Sequence, residues 1–165
     1  MRWFSSLVIM KKAAFGAGCF WGVQYEFDQI KGVKKTVAGY MGGSTENPSY
    51  EQVCSNKTGH AETVYVEFDE EILSYEALLE VFWKMHDPTQ KNRQGPDVGS
   101  QYRSVIFYFD EAQKHIAEKS KKQLAESKKF NKPIATEIVS ASEFYPAEAY
   151  HQDYFKKQGY TGCPV

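Results

Sequence analysis

The sequence predicts an α+β sandwich, one layer of mixed β-sheet and one of helices packed on it. Three observations carry that expectation. Strand-like and helix-like segments interleave; two strand-like segments, 33–40 and 63–68, follow one another without a helix between them; and no internal repeat or low-complexity tract interrupts the pattern. Consecutive strands argue for a sheet that is not purely parallel. The length of 165 residues is that of one domain around one core.

Each element has its own signal. KAAFGAG (12–18) is a short apolar run ending in glycine and reads as a buried strand. The segment 20–30 has helical spacing and is closed by Gly32. Residues 33–40 and TVYVEF (63–68) are β-branched and aromatic, as strands are. Ser74 can cap a helix in which Leu78, Leu79, Phe82 and Trp83 fall at helical spacing. RSVIFYF (103–109) is another strand, a charged helix follows over about 110–130, 134–139 is strand-like, and a last helix is expected near 147–156. Two long stretches, 39–60 and 87–101, fit no element. Structureless loops of that length in a compact domain are uncommon and tend to carry function, so the site is sought there.

Twenty basic residues against 21 acidic ones leave a formal charge of −1, which argues against an electrostatic nucleic-acid binder. Three cysteines, an odd number without close pairing, disfavour a disulfide-stapled secreted scaffold or a zinc ribbon and fit a reduced, intracellular setting. Cysteines and histidines do not cluster at ligand spacings, so no metal is expected. The opening MRWFSSLVIM places one Arg before an apolar run, but the run is too short for a bilayer span and no small-residue cleavage pattern follows. Residues 1–10 therefore read as an N-terminal extension, and the protein as cytoplasmic and not membrane-bound.

Cys19 stands in GAGCFWG (16–22), where strand chemistry ends and helix chemistry begins. A helix N-terminus aims unpaired amides and partial positive charge outward, so a thiol in its first turn is expected to shift toward thiolate and act as a nucleophile. The flanking glycines let the backbone turn tightly and a substrate approach closely. A buried structural cysteine is the plain alternative; glycines on both sides of Cys-Phe-Trp and the helix-start position favour the nucleophile. Phe20 and Trp21, core aromatics if taken alone, become beside a nucleophile two faces of a pocket for a small apolar group, able to stabilise a cation.

With GCFWG (18–22) come GYMGG (39–43), GHAE (59–62), HDPT (86–89), QGPDVGSQYRS (94–104) and AYHQDYF (149–155). In these segments, and over nearly the full chain from Lys11, the sequence resembles the A-type peptide methionine sulfoxide reductases. Several matches in order are far more specific than any one motif. Met41 and Asn56 depart from commoner smaller residues, which bears on loop packing and not on chemistry. The expected domain is then a single catalytic unit over 1–165 with a ferredoxin-like core, long functional loops and a mobile tail over about 157–165.

Reducing a sulfoxide means attacking an electrophilic sulfur while its oxygen is made a better leaving group, so a nucleophile and a proton donor must converge. Cys19 supplies the first. Glu62 is the natural second, because a carboxyl in an aromatic-lined pocket has its pKa raised by desolvation. The resemblance implies further that Tyr50 and Tyr102 bind the sulfoxide oxygen, that Asp97 is the loop carboxylate, and that the S epimer is the substrate. A methyl against Phe20 and Trp21 with the oxygen on Glu62 leaves only one epimer facing Cys19.

Attack leaves methionine and a sulfenic acid on Cys19. Cys163, in QGYTGCPV, matches the family's first resolving cysteine, and a disulfide from Cys19 to Cys163 would then be reduced directly by thioredoxin, or by dithiothreitol in vitro. No bound cofactor is implied, and the expected protein is a monomer acting on methionine sulfoxide, free or in proteins. Cys54 is ambiguous between a spare thiol and a resolver, with similarity favouring a non-essential role; His60, His86 and His151 are expected to be structural. Two rivals stand beside this reading. Another thiol peroxidase or disulfide oxidoreductase would explain neither the aromatic pair nor Glu62, and has no CxxC here; a non-catalytic ferredoxin-like binding module would leave Cys19 inert.

Overall fold

The structure, a computed structural model, describes residues 9–159. Along the chain come β1 (Met10–Ala17), α1 (Phe20–Asp28), β2 (Val33–Met41), a short helix α2 (Tyr50–Cys54), β3 (Ala61–Asp69) and α3 (Tyr75–Lys84). A hairpin of β4 (Arg93–Gln94) and β5 (Asp97–Val98) leads through a 3-10 turn (Ser100–Tyr102) to β6 (Ser104–Tyr108) and α4 (Glu111–Glu126). Then follow β7 (Glu137–Ser140), β8 (Tyr145–Pro146), a second 3-10 turn (Ala149–His151) and α5 (Tyr154–Lys157).

The main sheet runs β7-β6-β1-β3-β2-β8. β1 is antiparallel to both β3 and β6, and β2 is antiparallel to β3. The central strands with α1 and α3 form the βαββαβ arrangement of a ferredoxin-like core, as expected. α4 returns the chain so that β7 pairs in parallel with β6, which makes the sheet mixed.

The strand period of two sorts side chains between two faces. Ala13, Phe15 and Ala17 of β1 and Val64, Val66 and Phe68 of β3 join Phe20, Val23 and Phe27 of α1 and Leu78, Leu79 and Phe82 of α3 in the main core. Phe15 lies at its centre, stacked on Phe27 at 5.1 Å and Phe82 at 5.2 Å. On the opposite face Ala14, Met41, Ala61, Val105 and Phe107 form a smaller cluster covered by Ala141 and Phe144 rather than by a helix. Met41, one of the departures from the usual pattern, is thus a fully buried packing residue.

Helix ends follow their caps. Ser74 Oγ accepts the Ala77 N–H at 3.1 Å and Asp110 Oδ1 that of Gln113 at 2.8 Å. α4 stops at Glu126, short of the expected 130, because Lys128 turns left-handed at φ 57°. The expected helix over 147–156 is not continuous: β8 and a 3-10 turn precede the four-residue α5, and Asp153 breaks the run at φ 54°. The side chains there are committed elsewhere, with Gln152 bonding both Ala38 N (2.9 Å) and Ala38 O (2.8 Å). Nor are the long stretches structureless. A reciprocal Ser49–Gln52 capping box starts α2 in the first, and the second holds the β4–β5 hairpin.

Candidate active site

β1 ends at Ala17 and the chain reverses at Gly18, whose φ of +99° favours glycine. Cys19 is then the N-cap of α1. The amides of Trp21 and Gly22 turn toward its sulfur and favour the anion. The first amide of the helix is used differently: Phe20 N–H donates to Glu62 Oε1 at 3.1 Å. The N-terminus of α1 therefore divides its unpaired donors between the Cys19 sulfur and the Glu62 carboxyl. Glu62 reaches this point from β3, opposite Tyr40 of β2, and is 2% exposed, whereas Cys19 is half-buried.

Burial decides the protonation states. It raises Glu62 to about 8 against the pull of the Phe20 amide, with the Asp97 charge adding to the rise, so the acid keeps its proton at neutral pH. Burial also pushes Cys19 up to about 12, with Glu62 the next cause and the Trp21 and Gly22 amides opposing. The expected shift toward thiolate is therefore corrected: desolvation outweighs the helix N-terminus, and the resting site holds a thiol beside a carboxylic acid. With Glu62 neutral its charge no longer opposes ionisation of Cys19.

The other expected residues arrive from separate elements. Tyr50 opens α2, Asp97 lies on β5 and Tyr102 closes the 3-10 turn. Asp97 is close enough for its charge to bear on Cys19, Glu62 and Tyr102, and Glu62 in turn acts on Tyr50 and Tyr102. Burial holds both phenols above their ordinary range, so they remain hydrogen donors. Tyr50 hydroxyl turns toward the Cys54 sulfur, which places Cys54 at the edge of the site. Cys19 and Cys54 are free thiols. Cys163 lies outside the described residues.

Phe20 is fully in the core, its ring 5.7 Å from Tyr40 and 5.1 Å from His151. Trp21 is half-buried, and one face of its indole is already covered by Tyr154 at 3.7 Å. Its Nε1–H donates to His151 Nδ1 at 2.9 Å, so the neutral imidazole carries its proton on Nε2. Sequence reasoning did not single out Glu148, whose carboxylate accepts Tyr40 OH at 3.0 Å and Tyr50 N–H at 3.1 Å. Its place one residue before AYHQDYF was the available signal. His60, expected to be structural, accepts Gly43 N–H on Nδ1 at 3.0 Å and donates from Nε2 to Thr45 O at 2.7 Å, tying GYMGG to GHAE. Gly43 itself has no room for a side chain, since a Cβ would lie 2.3 Å from Thr58 O.

Among the described residues no group of three His, Cys, Asp or Glu could hold a metal, and no helix is long and apolar enough to cross a membrane. What converges is a thiol, a protonated carboxyl, two phenols and two aromatic rings. That set can attack an electrophilic atom while protonating an oxygen bound to it.

The model of the family described as "Peptide methionine sulfoxide reductase" matches residues 11–165. The "Peptide methionine sulfoxide reductase MsrA" of Methanosarcina acetivorans is 60% identical over 151 residues, 92% of this chain and 80% of that protein. The protein of the same name from Geobacter metallireducens is 53% identical over 154 residues, 93% of this chain and 95% of its own. Among solved structures, reduced Mxr1 from Saccharomyces cerevisiae superposes with a TM-score of 0.86 at 32% identity, covering 94% of this chain and 88% of that one.

Proposed function

The chain belongs to the peptide methionine sulfoxide reductase family, and from that premise we propose that Cys19 is the nucleophile and Glu62 the acid of a thiol-dependent reduction of methionine sulfoxide to methionine. The observation that carries the assignment is the buried Glu62 carboxyl bonded to the amide of Phe20, the residue after Cys19.

The Glu62 proton passes to the sulfoxide oxygen as the Cys19 sulfur bonds to the substrate sulfur. The hydroxyl then moves to Cys19 as the bond between the two sulfurs breaks, giving methionine and a sulfenic acid, and the hydrogen lost by the Cys19 thiol restores Glu62. The sum is methionine sulfoxide plus thiol to methionine plus sulfenic acid, with oxygen transferred from one sulfur to the other. Tyr50 and Tyr102 hold the oxygen by their hydroxyls, and positive charge developing on sulfur lies against the open face of Trp21.

Cys163 resolves the sulfenic acid, forming a disulfide with Cys19 and releasing water, and thioredoxin reduces that disulfide. Thioredoxin is an external reductant, and no prosthetic group enters the cycle. The chain acts as one catalytic domain in the cytoplasm on the S epimer, free or in proteins. Methionine release with dithiothreitol from the two separated epimers tests this reading. Release from the S epimer alone is expected; equal release from both, or from neither, would overturn it.

A further inference from the structure

Gln94 reaches two parts of the site at once. Its amide clamps the backbone of Asp87: Oε1 accepts the Asp87 N–H at 2.9 Å, and Nε2 donates to Asp87 O at 2.9 Å. Its methylenes lie over Gly18, where an added Cβ would meet Gln94 Cγ at 2.9 Å and Cβ at 3.0 Å. Gly18 is the residue before Cys19, and Gln94 is the cross-strand partner of Asp97.

Asp87 is a firm anchor. Its Oδ1 accepts the N–H (3.0 Å) and hydroxyl (2.6 Å) of Thr89, and Pro88 O accepts the Ala135 N–H at 2.7 Å. The preceding His86 is held by Phe82 O and Ser104 Oγ, both at 2.7 Å. The hairpin, by contrast, is weak. It has two rungs, and none of its strand residues is buried. So short a ribbon does not hold its own geometry in water. Gln90 Oε1, accepting Gly95 N–H at 2.7 Å, shapes the turn without tying it to the core.

Resting on the function proposed above, we infer that Gln94 is a positioning residue for the reaction: it fixes the hairpin that carries Asp97, and the turn that carries Cys19, to the anchored Asp87 backbone. Asp97 then stands at a set place relative to the nucleophile through the Gln94 amide, not through the two-rung ladder.

The test is a double-mutant cycle on methionine sulfoxide reduction with dithiothreitol, using Gln94→Met, Asp97→Ala and the double variant. Met keeps the stem over Gly18 and removes both hydrogen bonds to Asp87. A displacement of about 1 Å at a reacting group costs on the order of a hundredfold, so Gln94→Met is expected to lose roughly ten- to a hundredfold in kcat/KM. The double variant should fall little below Asp97→Ala alone, because Met keeps the stem packed on the Gly18 turn and the lost amide bonds then have no Asp97 carboxylate left to place. A merely structural role would instead give multiplicative losses. Losses that multiply, or a wild-type rate in Gln94→Met, overturn the inference. If Gln94→Met does not fold, Gln94→Glu, which keeps the stem and one of the two bonds, takes its place in the cycle. An inactive wild type overturns the reductase reading and this inference with it, whereas an active wild type with multiplicative losses overturns this inference alone.

Discussion

The amide of Phe20 donates to Glu62 Oε1 at 3.1 Å, which joins the first turn of α1 to the middle of the sheet at the point where chemistry is proposed. The bond opposes the effect of burial on Glu62, yet burial wins and the carboxyl is raised to about 8. A donor aimed at the carboxylate fixes where Glu62 points without ionising it at neutral pH. The residue is thus held as an acid in a defined place, one peptide unit from the thiol.

That arrangement costs stability as pH rises. Folded Glu62 keeps its proton up to about 8 from a starting value of 4.5, so above 4.5 the unfolded chain binds fewer protons than the folded one. The cost is absent below 4.5, grows through the interval and is complete above about 8, where it is on the order of 5 kcal/mol. Glu62→Gln should melt progressively higher than wild type as pH rises through that interval, and a constant gap in Tm would contradict it. His86, lowered to about 4 by burial, acts at the other end: its contribution is full above 6.5 and is lost as pH falls toward 4.

Cys19→Ser is expected to abolish turnover with dithiothreitol. Cys163→Ser should complete a first turnover and keep the dithiothreitol reaction while losing recycling by thioredoxin. Equal thioredoxin-driven turnover in wild type and Cys163→Ser would remove Cys163 as the resolver.

Glu148 and His151 orient the pocket from the C-terminal side of the fold. Glu148→Ala strips Tyr40 OH and Tyr50 N–H of their shared acceptor, and His151→Ala strips Trp21 Nε1. Each leaves a buried or half-buried donor unpaired, a loss of about 1–3 kcal/mol. Both variants should show a raised KM for methionine sulfoxide and a lowered Tm, measured by initial rates and thermal melts. An unchanged KM would show that Trp21 and Tyr50 do not depend on these partners.

Much of this was legible in the residues. Apolar, β-branched and aromatic runs marked the strands, and Ser74 marked a helix start because a side-chain oxygen at an N-cap acts over three residues. The ends were less legible, since Asp153 and Lys128 adopt left-handed backbone that their residue types do not announce. Cys19 and Glu62 were legible as candidates because motif and chemistry agreed on them. The sign of the Cys19 shift was not, because a helix-start position is local while desolvation depends on what packs around the thiol. Glu148 and Gln94 escaped for a related reason: each acts through contacts distant in sequence, Glu148 on Tyr50 and Gln94 on Gly18.

The claim that Cys19 attacks while Glu62 donates its proton is tested most directly by single-turnover methionine release from wild type and Glu62→Gln, followed from neutral pH to well above 8. The wild-type rate should fall as pH rises through about 8, where Glu62 loses its proton. The Gln variant should bind substrate, release methionine about 10²- to 10⁴-fold more slowly and show no such fall. A Gln variant that matches the wild-type rate and pH profile would contradict the assignment.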